Sequence, residues 1–230
     1  MLLAKTLSEV EVYNDLDGRL VNFFRVLRNR ESMEELIRLS TLTPYSRGQF
    51  AELTEMEEPE EPVARAWWFF VRARQAIGGS GMTRLTPCFW AASSRTRRNM
   101  AESVSKYLSS IDSLPEVADR FLTVMIENLS AMEVIAKYDD TDVFFYCDPP
   151  YVPDTRHPQK ATRYGFEMTA DDHRTLLGRL KAIRGRAMVS GYPSELYDEL
   201  LRGWRREECR VKSQMSNSGL DRIEVIWMNC

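Results

Sequence analysis

Apolar and polar residues alternate in some stretches of the chain and recur at helical spacing in others. Residues 9–15 (EVEVYND) alternate and include Val and Tyr, which predicts a short strand. Residues 18–30 repeat apolar side chains at helical spacing and predict a helix. The helical spacing continues through residues 33–107, with breaks at the acidic stretch 59–62 and at the glycine-rich stretch 78–81. The first half is therefore a strand followed mainly by helices.

The second half carries three further strand patterns, at 120–128 (RFLTVMIEN), 142–151 (DVFFYCDPPY) and 186–192 (RAMVSGY). The second of them begins with an apolar run typical of a buried parallel strand. Thr169 and Asp172 have the spacing of a capping box, which predicts a helix between the last two strands. The tail (WRREECRV, then RIEVIWMN) predicts a closing antiparallel hairpin. Strands that alternate with helices predict an α/β fold with a mostly parallel sheet.

Composition narrows the class of protein. With 230 residues, 43% of them hydrophobic, the chain can bury one core or one core with an insertion. Its apolar runs are well short of the roughly 20 residues that span a bilayer, and its start lacks the zones of a secretory signal. Four cysteines without CxxC spacing argue against a zinc site or a disulfide framework. We therefore expect a cytoplasmic protein with free thiols and no membrane partner.

Charge is distributed unevenly, although the net charge is only −3. Residues 52–61 (ELTEMEEPEE) hold six carboxylates and no basic side chain, whereas residues 65–106 hold eight basic side chains and one acid. Aromatic side chains are interleaved with the basic ones, a pattern typical of surfaces that bind phosphates and stack on bases. The pattern also fits a helical subdomain with arginines on its solvent-facing side. We expect the aromatic run 67–70 to form the core of that subdomain.

The segment Asp148-Pro149-Pro150-Tyr151 directly follows a predicted strand. Open α/β sheets bind their ligands at the carboxyl ends of strands, where this segment is expected to lie. The prolines fix the backbone and remove two donors, which leaves the Asp148 carboxylate and the Pro149 carbonyl as acceptors. Acceptors that bind both N–H groups of an aromatic amine favour a pyramidal nitrogen whose lone pair faces an electrophile. Tyr151 can stack on the ring that carries the amine, although an ordinary turn after a strand can have the same sequence.

Other residue patterns favour no second reaction. His157 and His173 have neither metal-ligand nor triad spacing, and we expect both at solvated positions. Ser190 and Gly191 do not form a GxSxG motif, so acyl transfer has no support. No metal site is expected.

Several segments together resemble the Dam-like adenine-specific DNA methyltransferases, especially those of phages and prophages. They are VYNDLDGRLVNFFRVLR (12–28), TPYSR (43–47), RAWWFFVRARQAIGGSG (65–81), DVFFYCDPPYVPDTRH (142–157), MVSGYPSELYDELLRGW (188–204) and IEVIWMN (223–229). The resemblance covers nearly the whole chain, in the family's order. It implies a Rossmann-like methyltransferase sheet with a helical DNA-recognition insertion. The chain is then divided into the start of the core (1–32), the insertion (33–112) and the catalytic part of the core (113–230).

The resemblance also implies an activity and the residues that carry it. The expected reaction is methyl transfer from S-adenosylmethionine to the 6-amino group of adenine in double-stranded DNA, after the base has been flipped out. By the resemblance, Asp148, Pro149 and Tyr151 are catalytic, and Asp148 also contacts the donor. Asp15 matches the acid that accepts hydrogen bonds from the donor's ribose hydroxyls. An acid that stabilises a helix N-terminus can occupy the same place.

The chain departs from the family pattern in two places. The family begins with a strand and a glycine-rich FxGxG loop that binds the methionine part of the donor, and this loop precedes the segment matching Leu2–Lys5. Gly78–Gly81 follow a helical pattern instead of a strand and make a poor replacement. Where this chain has Ser130, relatives usually carry an acid, and that acid accepts a hydrogen bond from the adenine amine of the donor. Serine still accepts a hydrogen bond but loses the charge, at a cost of roughly 1 kcal/mol or somewhat more.

The absent first strand lies centrally in the family's sheet, between the strands predicted at 9–15 and 142–148. Its absence predicts unpaired strand edges, which a second chain or an additional segment would complete. Three functions stay open from the sequence: an adenine-specific DNA methyltransferase, an inactive relic that binds DNA, and an RNA methyltransferase. The long basic insertion favours duplex DNA over RNA. Its expected phosphate contacts are Arg95, Arg97 and Arg98.

Overall fold

Two units make up the fold, Met1–Asn128 and Leu129–Cys230. The computed structural model describes residues 2–77, 89–152, 155, 165–212 and 221–230. The predicted loop at Gly78–Gly81 and the predicted position of His157 lie outside these residues. Among the described residues, the first unit holds two two-stranded sheets and the second unit one four-stranded sheet, and each unit has its own hydrophobic core.

The first unit is mainly helical, as its pattern predicts. A short 3₁₀ helix (Leu2–Ala4) precedes α1 (Gly18–Leu27), α2 (Arg30–Leu42), α3 (Arg47–Glu55), α4 (Pro62–Gln75), α5 (Glu102–Asp112) and α6 (Leu114–Phe121). The strands of this unit are β1 (Glu11–Asn14), β2 (Thr96–Arg97), β3 (Met100–Ala101) and β4 (Val124–Glu127). Four of the helices begin at a side chain that accepts a hydrogen bond from a first-turn N–H, namely Asp17, Asn29, Ser46 and Glu61.

The strand and the helix predicted for residues 9–30 are confirmed by β1 and α1. β1 pairs with β4 in parallel, from Glu11 opposite Val124 onward. The strand predicted at 120–128 is shorter than expected, because Phe121 is the last residue of α6. The Phe121 ring stacks on Phe24 of α1 with centroids 4.0 Å apart, which holds this residue in the helix.

The aromatic run of α4 forms the core of the first unit, as expected. Trp68, Phe69 and Phe70 are buried, and Trp68 Nε1 donates to the backbone oxygen of Leu53 at 2.8 Å. Phe23 of α1 stacks on Phe70 with centroids 5.8 Å apart. These rings are packed inside the unit, so they are not available for stacking on bases.

A buried acid fixes the start of β1. Glu11 is 7% exposed and forms ion pairs with Arg120 at 2.6 Å and with Lys5. The hydrogen bonds from Arg120 and Lys5 lower the pKa of Glu11 from 4.5 to about 2. Ser8 N donates to the same carboxylate at 3.2 Å. The carboxylate is therefore paired on both oxygens, as a buried charge must be.

We expect Glu11→Gln to lower the free energy of unfolding near neutral pH. The loss should become smaller as the pH falls from 4.5 towards about 2. The folded-state pKa lies below the unfolded value, so the stabilisation is present above the unfolded pKa and is lost as the pH falls through the folded one. Urea unfolding of wild type and variant at neutral and acidic pH measures the difference. Glu9→Gln, at an exposed position of the same segment, is the control. A pH-independent cost of Glu11→Gln would contradict this account.

The second unit combines helices with a four-stranded sheet. Its elements are α7 (Ala131–Tyr138), β5 (Phe144–Cys147), α8 (Ala170–Lys181), β6 (Arg186–Gly191), α9 (Glu195–Leu200), β7 (Arg205–Lys212) and β8 (Asp221–Met228). The strand order is β5-β6-β8-β7, in which β5 and β6 are parallel and the other neighbours antiparallel. The closing hairpin and the capping box of Thr169 and Asp172 are confirmed.

One face of this sheet is buried and the other is partly open. Helices α7, α8 and α9 pack on the face that carries Ala187, Val189, Val225 and Trp227. On the other face, Phe144 and Tyr146 are 46% and 41% exposed. The prediction of a fully buried strand at 142–148 is therefore wrong for that face, because the helices of the unit pack against the opposite one.

The parallel strand pairs of the described residues lie in different sheets. Within the described residues, β1 pairs with β4, and β5 pairs with β6. Strands β1 and β5 therefore have one neighbour each. A strand at the edge of a sheet presents a row of backbone N–H and C=O groups to whatever lies beside it. The α/β class is confirmed, but only the pairs β1–β4 and β5–β6 are parallel among the described strands, so the prediction of a mostly parallel sheet is not met there.

Candidate active site

The DPPY segment (148–151) lies where β5 ends. The register of β5 and β6, continued by one residue, places Asp148 beside Ser190. Ser190 Oγ donates to Asp148 Oδ1 at 2.9 Å. Asp148 is exposed, whereas Val152, just after the motif, is buried in the core of the unit. The carboxylate is therefore presented to solvent from a backbone that is anchored on both sides.

Two tyrosines come from the same pair of strand ends. The rings of Tyr151 and Tyr192 meet edge to face, with centroids 4.3 Å apart and 61° between their planes. Both side chains are partly buried. A flat ring can stack on such a pair. We did not single out Tyr192 from the sequence, although its position directly after β6 matches that of Asp148 after β5.

The side of β5 opposite to Asp148 is buried and not reactive. Burial, together with the Asp148 charge, raises the pKa of the Cys147 thiol to about 12. The thiol is therefore protonated at neutral pH and is no candidate nucleophile. Burial also raises the pKa of Tyr197, whose hydroxyl lies 2.9 Å from His173 Nδ1.

His173 is fully buried, so the prediction of a solvated position is wrong. It lies on the face of α8 that carries Leu176, Leu177 and Leu180, and these leucines pack against the sheet. The spacing of the four residues is that of one buried helix face, so the sequence contained this signal. The imidazole also packs edge to face on Tyr197, with ring centroids 5.7 Å apart. Its contacts are those of a core residue.

Asp15 lies one residue after β1 in the first unit. Its Oδ1 accepts from Asp17 N at 2.8 Å, and its Oδ2 accepts from the Tyr13 hydroxyl at 3.2 Å. Burial raises the pKa of Asp15. Asp17, not Asp15, is the N-cap of α1. Each oxygen of Asp15 can accept a further hydrogen bond, so the carboxylate suits a pair of ligand hydroxyls.

Ser130, in the second unit, begins α7 as its N-cap. Its hydroxyl accepts from Glu133 N at 3.3 Å and donates to Glu133 Oε2 at 2.6 Å. This is a complete capping box, whose S-x-x-E spacing is visible in the sequence. The hydroxyl keeps one lone pair for a ligand donor. Its structural role as a cap is independent of the proposed contact with the methyl donor.

The three arginines expected to bind phosphates share one hairpin of the first unit. Arg97 belongs to β2, Arg98 is in the turn to β3, and Arg95 precedes β2; all three are exposed. Arg98 and Asn99 have φ angles of 53° and 57°, so the two-residue loop has the backbone of a type I′ turn. Arg98 also donates to Ser109 Oγ at 3.1 Å. The hairpin therefore displays a compact group of cations.

Nearby aromatic residues differ in their exposure. Phe89 is 76% exposed, whereas Trp90 is partly buried and lies under the guanidinium of Arg47 at 4.8 Å from the ring centroid. Trp90 Nε1 donates to the buried Gln75 at 3.3 Å. Of the two aromatic residues, Phe89 is the one that presents its ring to solvent.

The described part of the chain shows neither a metal-binding group nor a membrane-spanning helix. It holds no group of three or more His, Cys, Asp or Glu side chains arranged for a metal ion. None of its helices is both long and apolar enough to cross a membrane. Cys147, Cys209 and Cys230 are free thiols.

The family is shown by a match over almost the whole chain. The family model of the D12 class N6 adenine-specific DNA methyltransferases matches residues 2–217. The chain belongs to this family and is a DNA adenine methyltransferase. Membership implies S-adenosylmethionine as co-substrate and DNA as substrate. The search of curated proteins gives no match. The resemblance stated from the sequence is confirmed.

Proposed function

We propose that the protein transfers the methyl group of S-adenosylmethionine to the 6-amino group of an adenine flipped out of duplex DNA. The observation that carries the proposal is the exposed Asp148 carboxylate at the end of β5, which accepts from Ser190 at 2.9 Å. The chain belongs to the adenine-specific DNA methyltransferases, and a carboxylate acceptor suits the amino group of adenine. Flipping is required because the amine is paired and stacked inside the duplex.

The two acceptors of the motif explain how a weak nucleophile reacts. The amine lone pair is delocalised into the adenine ring, and hydrogen bonds to Asp148 and the Pro149 carbonyl favour the pyramidal nitrogen. The lone pair forms the bond to the methyl carbon as the bond from that carbon to sulfur breaks. The nitrogen is then positively charged and releases a proton, which the Asp148 carboxylate is in position to accept. Tyr151, which packs edge to face with Tyr192, stacks on the flipped base.

Three acceptors are the candidates for contacts with the methyl donor. Asp15 accepts from ribose hydroxyls, for which its two oxygens keep free lone pairs. Ser130 accepts from the adenine amine of the donor through the lone pair that the capping box does not use. Asp148 lies at the methyl group. S-adenosylmethionine itself supplies the electrophilic methyl carbon.

The cationic hairpin suits the DNA backbone. Arg98 adopts a positive φ, a conformation that glycine and asparagine accept more readily, at a cost of order 1 kcal/mol. Because arginine occupies this position despite the cost, we infer that its side chain has a role. We propose that Arg98, with Arg95 and Arg97, contacts phosphates of duplex DNA.

Replacing these three arginines with alanine should weaken binding to every duplex and make the dependence of log affinity on log salt shallower by up to about 2.7, since each phosphate contact contributes about 0.9. Fluorescence anisotropy with labelled duplexes over a salt series measures the slope. Arg174, Arg184 and Arg205 are exposed, pair with acids, and supply the matched triple-alanine control. A slope equal to that of wild type would contradict the assignment.

We also propose that an additional strand pairs with a free edge of the described sheets. β1 and β5 each have one described neighbour, and Phe144 and Tyr146 of β5 are exposed. A parallel strand beside either edge would pair its backbone groups, as in the Rossmann-like sheet expected from the family. A second chain or another segment of polypeptide can supply it.

Transfer of labelled methyl groups from S-adenosylmethionine tests the proposed function. We expect label at the 6-amino group of adenine in duplex DNA and none in RNA of the same sequence. If only RNA were labelled, the substrate would be RNA and not DNA. A chain that binds duplex DNA and labels neither nucleic acid, with or without the additional strand, would support an inactive DNA-binding protein instead.

A further inference from the structure

We infer that Ser190 is a positioning residue for Asp148, and that the Tyr146 hydroxyl in turn fixes the hydroxyl of Ser190. The inference rests on the proposed function, because it concerns the orientation of the carboxylate that binds the adenine amine. The sequence assigned no role to either residue. The three side chains come from two neighbouring strands, β5 and β6.

The strand register brings these side chains together. Paired residues of parallel strands direct their side chains to the same face, and the β5–β6 register places Asp148 beside Ser190. Tyr146, two residues before Asp148, shares that face because side chains alternate along a strand. Gly185 permits the close start of β6, since a Cβ there would lie 2.6 Å from the backbone oxygens of Asp140 and Val143.

Counting donors sets the direction of the hydrogen bonds. Ser190 has one hydroxyl hydrogen and three oxygen neighbours, namely Asp148 Oδ1 at 2.9 Å, Tyr146 Oη at 3.2 Å and the Cys147 carbonyl at 3.3 Å. The carboxylate is both the nearest and the charged acceptor, so it takes the hydrogen. The Tyr146 hydroxyl then donates to Ser190 Oγ. The chain of donation runs from Tyr146 through Ser190 to Asp148.

This series of hydrogen bonds defines which carboxylate oxygen of Asp148 faces the substrate. A hydrogen bond to Oδ1 selects one rotamer of Asp148 and the plane of its carboxylate. Oδ2 is then the oxygen directed to the amine. Asp148 is an exposed side chain, so packing contributes little to this orientation and the hydrogen bond becomes decisive. Holding a reacting group in one geometry lowers the barrier without tightening substrate binding.

Three variants separate positioning from a purely structural role. We expect Ser190→Ala to lower kcat about tenfold with the KM for DNA and for S-adenosylmethionine unchanged, as loss of one charge-assisted hydrogen bond implies. Ser190→Thr keeps a hydroxyl and should stay within about threefold of wild type, while Tyr146→Phe should have an intermediate kcat. Thr175→Ala, which removes a hydroxyl bonded within α8, is the control. Unchanged kcat in Ser190→Ala, whatever happens to its Tm, would overturn the inference.

A second measurement does not depend on turnover. Three-bond NMR couplings between Hα and Hβ of Asp148 report its χ1 populations in the full chain. We expect a single rotamer in wild type, averaged couplings in Ser190→Ala and a single rotamer again in Ser190→Thr. Identical couplings in wild type and Ser190→Ala would overturn the inference even if the protein transfers no methyl group. Loss of methyl transfer in wild type with the expected couplings would refute the proposed function and retain the positioning contact.

Discussion

Replacing Asp148 with alanine is expected to lower the rate of methyl transfer to adenine in duplex DNA by about 10²–10³-fold, a usual effect of removing one preorganised polar group. The carboxylate binds an N–H group whose nitrogen becomes positively charged in the transition state. Its loss therefore raises the barrier more than it weakens substrate binding. kcat should fall while the KM for DNA changes little, and transfer of labelled methyl groups at saturating donor measures both.

Asp142→Ala is the matched control, because Asp142 is an exposed acid just before the same strand. It should retain the wild-type rate. Asp148→Asn keeps one acceptor oxygen and should lie between wild type and Asp148→Ala. Circular dichroism of each variant verifies that the fold is retained. A wild-type kcat in Asp148→Ala would show that the amine is bound elsewhere and would remove the main support for the DPPY mechanism.

Joining a strand with a glycine-rich FxGxG loop to the chain is expected to strengthen the binding of S-adenosylmethionine by about 100-fold, equivalent to about 2.7 kcal/mol. The added strand would pair with a strand edge such as that of β1 or that of β5, each of which has one neighbour among the described residues. The backbone amides of its loop would bind the carboxylate of the donor. Calorimetry on the 230-residue chain and on the extended chain measures the two dissociation constants.

Two altered extensions separate the strand from the loop. Proline at two central strand positions removes ladder donors, so that extension should restore neither donor affinity nor Tm. Alanine in place of the loop glycines should still raise Tm, because the strand still pairs, but should not raise the affinity for the donor. A dissociation constant in the low micromolar range for the 230-residue chain alone would show that the glycine-rich loop is dispensable or has been replaced.

The sequence alone determined most of the local structure. Alternation located β1 and helical spacing located α1, because each pattern records which side of an element is buried. The Thr169 capping box was predicted correctly because its two hydrogen bonds join residues three positions apart. The family followed from several ordered segments and was confirmed over residues 2–217.

Tertiary structure decided which faces are buried and how the strands are grouped. The apolar run of β5 predicted burial on both sides, yet Phe144 and Tyr146 are exposed because the helices of the unit pack on the opposite face. His173 was expected in solvent, and the packing of α8 against the sheet buries it. The polarity of a side chain indicates whether it favours a buried or an exposed position. Whether it is buried depends on which elements pack over it.

The candidate site shows the same division. Asp148, Pro149 and Tyr151 stand out in the sequence, because an acid and an aromatic flank prolines directly after a strand pattern. The contact of Asp148 with Ser190 joins residues 42 positions apart and depends on the register of two strands. A shift of one residue would turn Ser190 to the other face of the sheet. The chemistry of the motif is therefore local, whereas its orientation is set by strand pairing, which no local pattern specifies.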